Sequence, residues 1–274
     1  MPTLRISDED AVAYDDAGQG PLIVLVHGSP GTSRAWQPVA ERLAGRFRVI
    51  TPNLPGYGGT TPRPVDGPGD SSFAAELIEA LIASLRGEAG PPVVLGGHSY
   101  GGAVALITTL RGRVTPGALA LFEPVAVPVL AAVGDAEAFA SARALFDGYC
   151  AAFEGGDPEA ARIMVDYWFG AGALDHMPAS IREYLIAHTG HNVGDVRATF
   201  RDPYSVAALR ELGMPVLGVH GTRSVAMMVK IVEAIASHAP RGIIRKLEKA
   251  NHAMTTTHPD AVAALIAELA DGSV

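Results

Sequence analysis

The sequence predicts an α/β fold: a mostly parallel sheet flanked by helices, with an inserted helical cap. Three observations predict it. Short apolar runs of strand length alternate with segments of helical spacing along most of the chain, the pattern of a sheet covered on both faces. The alternation stops between Pro124 and Gly213, where no strand run occurs and Ala, Glu, Arg and aromatic residues recur at helical intervals. Finally, one glycine-flanked serine, Gly97-His98-Ser99-Tyr100-Gly101, stands where the apolar run Pro92-Val93-Val94-Leu95 gives way to a helical segment.

Taken in order, Thr3 to Ser7 and Ala11 to Tyr14 are short and alternating, and Asp15 to Gly20 is turn chemistry, so an antiparallel edge hairpin is expected. The core strands are then Leu22 to Val26, Arg48 to Thr51, Val93 to Leu95, Ala118 to Phe122, Val216 to Val219 and Ile243 to Lys246. Helices are expected over Ser33 to Leu43, Ser71 to Leu85, Tyr100 to Leu110, Val225 to His238 and Pro259 to Leu269. This divides the chain into a core, residues 1–123 and 213–274, and a helical cap, residues 124–212. Within the cap, Asp157-Pro158-Glu159 reads as an N-cap followed by proline in the first turn, and Asp202-Pro203 as the opening of another helix. A helical layer inserted between two strands is expected over the strands' C-terminal ends, where open α/β sheets bind ligands.

Composition narrows the partners. The chain has 274 residues, 48% of them hydrophobic, enough for a sizeable buried interior. A net charge of -8 and the lack of a dense Lys/Arg patch disfavour nucleic acid or an anionic membrane as partner, leaving a small molecule. The single cysteine, Cys150, and an N-terminal Met1-Pro2-Thr3-Leu4-Arg5 without an apolar core point to the cytoplasm. The apolar stretch from Pro21 to Val26 is far shorter than the roughly 20 residues that span a bilayer.

The chemistry centres on Ser99. In G-x-S-x-G the glycines relieve crowding while the serine is forced into a strained turn that projects its hydroxyl. Other glycine-rich readings fail: no lysine completes a phosphate loop, and Gly56-Tyr57-Gly58 starts a dinucleotide fingerprint without finishing it. A serine hydroxyl is a weak nucleophile and needs a base, and the base needs an orienting acid. Asn251-His252-Ala253 follows the last strand and precedes a helix near Pro259, which places His252 on a strand-to-helix loop; the rival His258 reads as the start of that helix. His176, His188 and His191 fall in the cap and His220 at a strand end.

At this point the chain resembles the α/β-hydrolase superfamily over nearly its whole length. The features are the Ser99 elbow, the His27-Gly28-Ser29-Pro30 turn, the turn from Asn53 to Gly58, and Asn251-His252. The resemblance implies the α/β-hydrolase fold with Ser99 as nucleophile and His252 as base. It implies an oxyanion hole made by the backbone N–H groups of Ser29 and Tyr100, with His27 behind that turn. The acid departs from the common pattern: Gly221-Thr222-Arg223-Ser224 puts a serine where the family usually has aspartate, and Glu233, the next acidic residue, lies inside a helix. A subset of the superfamily carries its acid after the preceding sheet strand, where this chain has Glu123. The order nucleophile, acid, histidine is then Ser99, Glu123, His252, with Ser224 expected to contribute little.

The implied activity is a carboxylesterase-like serine hydrolase acting on an ester, lactone or related acyl bond of a small apolar substrate, with no cofactor or metal. Serine at the elbow argues against the epoxide-hydrolase and dehalogenase branches, which need a carboxylate there. The same residues serve carbon-carbon bond hydrolases and cofactor-free perhydrolase or haloperoxidase-like enzymes, and the fold also occurs as a ligand-binding module. Phe146, Tyr149, Trp168, Phe169 and Tyr204 are candidate pocket aromatics, with plain packing as the alternative.

Overall fold

The computed structural model describes residues 1–64, 69–86, 90 and 92–273. Its strands are β1 (Thr3–Arg5), β2 (Ala11–Ala17), β3 (Leu22–Val26), β4 (Arg48–Pro52), β5 (Val94–His98), β6 (Ala118–Phe122), β7 (Val216–Gly221) and β8 (Gly242–Leu247). They form one 8-stranded sheet in the order β1-β2-β4-β3-β5-β6-β7-β8. The β1–β2 and β2–β4 pairs are antiparallel and all others parallel, so the expected edge hairpin is attached to a parallel body.

Period-2 alternation inside the apolar strands sorts side chains between two cores. On one face Leu22, Val24, Val26, Leu119 and Leu121 pack against α2 (Ser72–Arg86), α3 (Tyr100–Leu110) and α11 (Ala226–His238). On the other, Ile23, Leu25, Ala120, Phe122 and Val219 pack against α1 (Gln37–Leu43) and α13 (Pro259–Ala270). Burial on both faces explains why these strands read as continuous apolar runs. The helix expected from Ser33 begins as a 3-10 turn, Ser33–Trp36, and α1 follows with Pro38 in its first turn, where the missing N–H is not needed. The outer strand β8 carries exposed Arg245 and Lys246, charges that blunt a sheet edge.

Between β6 and β7 the chain forms α4 (Pro128–Ala132), α5 (Ala136–Glu154), α6 (Ala161–Phe169), α7 (Ala173–His176), α8 (Ala179–Ala187), α9 (Thr189–Thr199) and α10 (Val206–Arg210). Two helix starts differ from expectation. The Asp157 carboxylate accepts from the N–H of Glu159, two residues on, in a turn, and α6 opens at Ala161. Asp202 opens no helix: α10 begins at Val206, capped by Ser205. Asp202 instead takes the backbone N–H and the hydroxyl of Ser71, both at 2.8 Å, and so ties the insertion to the segment before α2. No helix among the described residues is long and apolar enough to cross a membrane.

Burial pushes the Asp202 carboxyl up to about 6, against the hydrogen bonds from Ser71. An acid whose folded pKa exceeds its unfolded value, near 3.8, holds its proton more tightly when folded. Its stability contribution therefore increases as pH falls through that window and declines as pH rises through it, by at most roughly 2–3 kcal/mol. Asp202→Asn removes this dependence. The Tm of the wild type minus that of Asp202→Asn is expected to be more positive at pH 4.5 than at pH 7, measured by thermal melts in matched buffers.

Candidate active site

Ser99 occupies the turn between β5 and α3 with φ 56° and ψ -126°, outside the regions a serine ordinarily adopts. Its surroundings have room for glycine only. A Cβ on Gly97 would run into the carbonyl of Gly101, and one on Gly101 into the carbonyls of His27 and Val26. Glu123, one residue beyond β6, has φ 46° while its N–H still bonds Val219 O at 3.0 Å. Adjacent parallel strands thus end in two strained residues side by side.

The structure brings together the three side chains expected from the sequence. The Ser99 hydroxyl lies 3.0 Å from His252 Nε2, and His252 Nδ1 lies 2.7 Å from Glu123 Oε2. All three are buried. With Nδ1–H donating to the carboxylate, Nε2 is left to accept from Ser99. Burial works to raise the Glu123 carboxyl, but His252, Ser224 and the Gly221 N–H together hold it below its ordinary value.

Ser224 is where expectation and structure differ. Its hydroxyl donates to Glu123 Oε1, which also accepts the Gly221 N–H at 2.9 Å. The turn that carries no acid of its own supplies two hydrogen bonds to the acid on the neighbouring strand, so Ser224 has a role the sequence pattern denied it. His258 stays outside this line, at the N-cap of α13.

The Gly28 turn abuts the serine: a Cβ on Gly28 would come within 2.9 Å of Ser99 Cβ. His27 fixes this turn, with Nδ1 donating to Gly28 O at 2.8 Å and Nε2 accepting the Leu54 N–H at 3.0 Å. Burial drives its pKa down to about 4, which suits a neutral ring that donates at one nitrogen and accepts at the other. Fixing the Gly28 carbonyl also fixes the other side of the same peptide plane, the Ser29 N–H. Tyr100 is the first residue of α3, so its N–H precedes the helix's own hydrogen bonds and remains open to an anion. His98 bonds the His252 carbonyl at 2.7 Å; burial first, then the nearby His252, pushes its pKa down to about 3 and keeps it uncharged.

Side-chain contacts of Ser29 and Tyr100 have no local sequence signal. Ser29 Oγ donates to Asp195 Oδ2 at 2.6 Å and accepts from Asn192 Nδ2 at 2.8 Å, both on α9. Tyr57 also donates to Asp195, at 3.0 Å. Arg63 links Tyr100 OH, at 2.8 Å, to Asp195 Oδ1, at 3.4 Å. Burial raises the Asp195 carboxyl to about 6, while its hydrogen bonds and Arg63 pull the other way.

Above Ser99 lies a cavity of about 480 Å³ between the strand ends and the insertion. Phe146, Tyr149, Trp168 and Phe169 line it, as do Met164 and Ile181. Tyr204 does not; its hydroxyl donates to Asp202 instead.

An α/β sheet with a strained serine after its central strand, a histidine at hydrogen-bond distance and a carboxylate behind it defines a nucleophile-elbow protein. The chain belongs to the alpha/beta hydrolase family, whose profile matches residues 23–265. Over 192 residues, 70% of each chain, it is 31% identical to the 2-succinyl-6-hydroxy-2,4-cyclohexadiene-1-carboxylate synthase of Salmonella heidelberg. Among solved structures it is similar to a thermophilic esterase from Thermogutta terrifontis, with TM-score 0.77 and 25% identity over 99% of this chain and 97% of that one. The enol-lactonase of Burkholderia xenovorans shares the fold, with TM-score 0.74 and 17% identity over 98% and 99% of the two chains.

Gly101→Ala is expected to destabilise the protein by at least about 2 kcal/mol, since its methyl meets rigid backbone. Gly148, inside α5 with open space for 4 Å around the position of an added methyl group, is the control. Gly148→Ala is expected to be neutral or stabilising by up to about 1 kcal/mol, read from urea unfolding.

Proposed function

We propose that the protein is a serine hydrolase that cleaves a carboxylic ester, lactone or related acyl bond of a small, largely apolar substrate through an acyl-enzyme. The observation that carries this reading is the hydrogen-bonded line Ser99–His252–Glu123 opening into an apolar cavity.

In this mechanism His252 Nε2 takes the Ser99 proton as Oγ attacks the carbonyl carbon, and the carbonyl π pair moves onto oxygen. The N–H groups of Ser29 and Tyr100 receive that oxyanion, and Glu123 stabilises the imidazolium at Nδ1. His252 passes the proton to the leaving oxygen as the carbon-oxygen bond breaks. Water, deprotonated by the same ring, then attacks the acyl-enzyme and releases the acid and Ser99. The insertion acts as a lid over residues 124–212 that walls the acyl site from solvent, with the core on either side of it in sequence.

The cavity's chemistry favours an apolar substrate over an ionised one. Among the described residues that line it there is no Lys or Arg, and the one lining carboxylate, Asp195, is held by hydroxyl donors. The Salmonella relative is named for a carboxylate product. A substrate of that charge would find no cationic side chain in this lining.

A fluorophosphonate probe is expected to label Ser99, and Ser99→Ala to abolish both labelling and turnover of a short p-nitrophenyl ester. A folded protein that takes no label would favour a ligand-binding role instead. Glu123→Gln is expected to lower kcat by about 10²- to 10⁴-fold, because the amide cannot hold the imidazolium by charge. Ser224→Ala, which removes one of the hydrogen bonds to that carboxylate, is expected to cost about three- to thirtyfold.

A further inference from the structure

The indole of Trp168, on α6, lies flat against the imidazole of His252, with ring centroids 4.2 Å apart and planes 13° from parallel. Tyr167 braces that indole edge-on at 5.0 Å. A wall that only repels water needs no particular ring angle. A face-to-face stack on an imidazole has a charge-dependent consequence, because the face of an indole is its electron-rich side and attracts a cation.

We propose that Trp168 is a positioning residue for His252: it holds the ring in the plane that aims Nε2 at Ser99, and it stabilises the imidazolium in preference to the neutral ring. The proposal rests on the reading of His252 as the general base. It adds a link that this reading lacks, since Trp168 belongs to the insertion whereas Ser99, Glu123 and His98 belong to the core. The base therefore reaches full strength only when α6 is seated over the strand ends.

The groups around His252 leave this part to Trp168. Glu123 meets the ring edge at Nδ1, 2.7 Å away, and among the described residues is the carboxylate bonded to that ring. His98 packs at 4.8 Å, tilted by 46°, and is uncharged. From α9, Asp195 lines the same cavity but spends its hydrogen bonds on Ser29, Tyr57 and Arg63. Thr255 and Thr256, the nearer residues of α12 (Met254–Thr257) in the lining, carry no charge. Burial of the site strengthens the effect, since a cation over an indole gains more when water is excluded.

Two variants separate the charge effect from bulk. Trp168→Phe keeps an aromatic face, and Trp168→Leu keeps apolar volume without one. With a p-nitrophenyl ester, Trp168→Leu is expected to lower kcat about three- to tenfold while KM changes less than about twofold, and Trp168→Phe to retain more than about half of kcat. The acid limb of the kcat/KM profile is expected to move down by about 0.5 pH in Trp168→Leu, because losing the stack makes protonation harder and the base stays available. Equal kcat in all three proteins, or a rise in KM with kcat unchanged, would overturn the proposal and leave Trp168 a pocket wall.

A second measurement needs no substrate. The chain has 2 tryptophans, so the fluorescence of Trp168 is the wild-type signal minus that of Trp168→Phe. It is expected to drop on acidification as the imidazolium quenches the indole, and the drop to vanish in His252→Gln. A drop that persists in His252→Gln, or none in the wild type, overturns the stack as charge-sensitive. If no ester is turned over but the titration behaves as expected, the hydrolase reading fails and the stack stands.

Discussion

A carboxylate with no exposure to solvent, Glu123, is the constraint around which the site is built. Burying a carboxylate without partners costs several kcal/mol, so a fold that keeps one there must satisfy its oxygens from every side. The sheet order does this. β6 lies between β5 and β7, so the residue after β6 has the Ser99 turn on one flank and Gly221 on the other. Oε1 takes the Gly221 N–H and the Ser224 hydroxyl, and Oε2 takes His252 Nδ1. The left-handed backbone at Glu123 is part of the same solution. It lets the chain leave the sheet for the insertion immediately after β6 while Glu123 stays among the strand ends. Strain of about 1–3 kcal/mol at such a residue persists only where its surroundings over-determine it, and the three partners of the carboxylate do so.

The parts of this arrangement that were legible in the sequence are those with local causes. Strands buried on both faces read as apolar runs, and the Ser99 turn advertises itself because Gly97 and Gly101 are dictated by backbone contacts a few residues away or one strand over. His252 was legible from its place after the last strand. Glu123 came from the family resemblance, which offers the position after β6 where the turn after β7 holds Ser224. What sequence could not supply depends on distant partners. Ser29 and Asp195 are 166 positions apart, and Ser224 and Glu123 are 101 apart, with no periodicity joining them. Ser224 is expected from the sequence to contribute little because the pattern compares one position at a time. In space its hydroxyl donates to the Glu123 carboxylate on the neighbouring strand.

The same limit explains the helix starts that differ. Asp202 has the right neighbours for an N-cap, Pro203 included, but its oxygens are drawn to Ser71 across the chain, and Ser205 caps α10 instead. A local capping bond is worth about 1 kcal/mol. Two hydrogen bonds from a buried serine to a buried carboxylate exceed that, and the tertiary partner wins.

Asp195 shows how the insertion and the core are joined at the site itself. It donates nothing; it collects hydrogen bonds from Ser29 and Tyr57 and faces Arg63 at 3.4 Å. A bare carboxylate there would oppose any negative charge forming near the Ser29 N–H, the proposed oxyanion donor. The hydroxyl dipoles and the guanidinium spread that charge, and burial raises the carboxyl to about 6, nearer to neutrality than an exposed aspartate. Asn192 completes the set by donating to Ser29 and accepting from Tyr149. The outcome is a mechanical link. The Ser29 side chain makes two hydrogen bonds to α9, with Asp195 and Asn192, and its backbone belongs to the turn that abuts Ser99, so α9 cannot shift without pulling on the peptide that His27 holds in place from behind. Helices that the sequence suggests are a cover are tied by hydrogen bonds to the part of the core that must stay fixed.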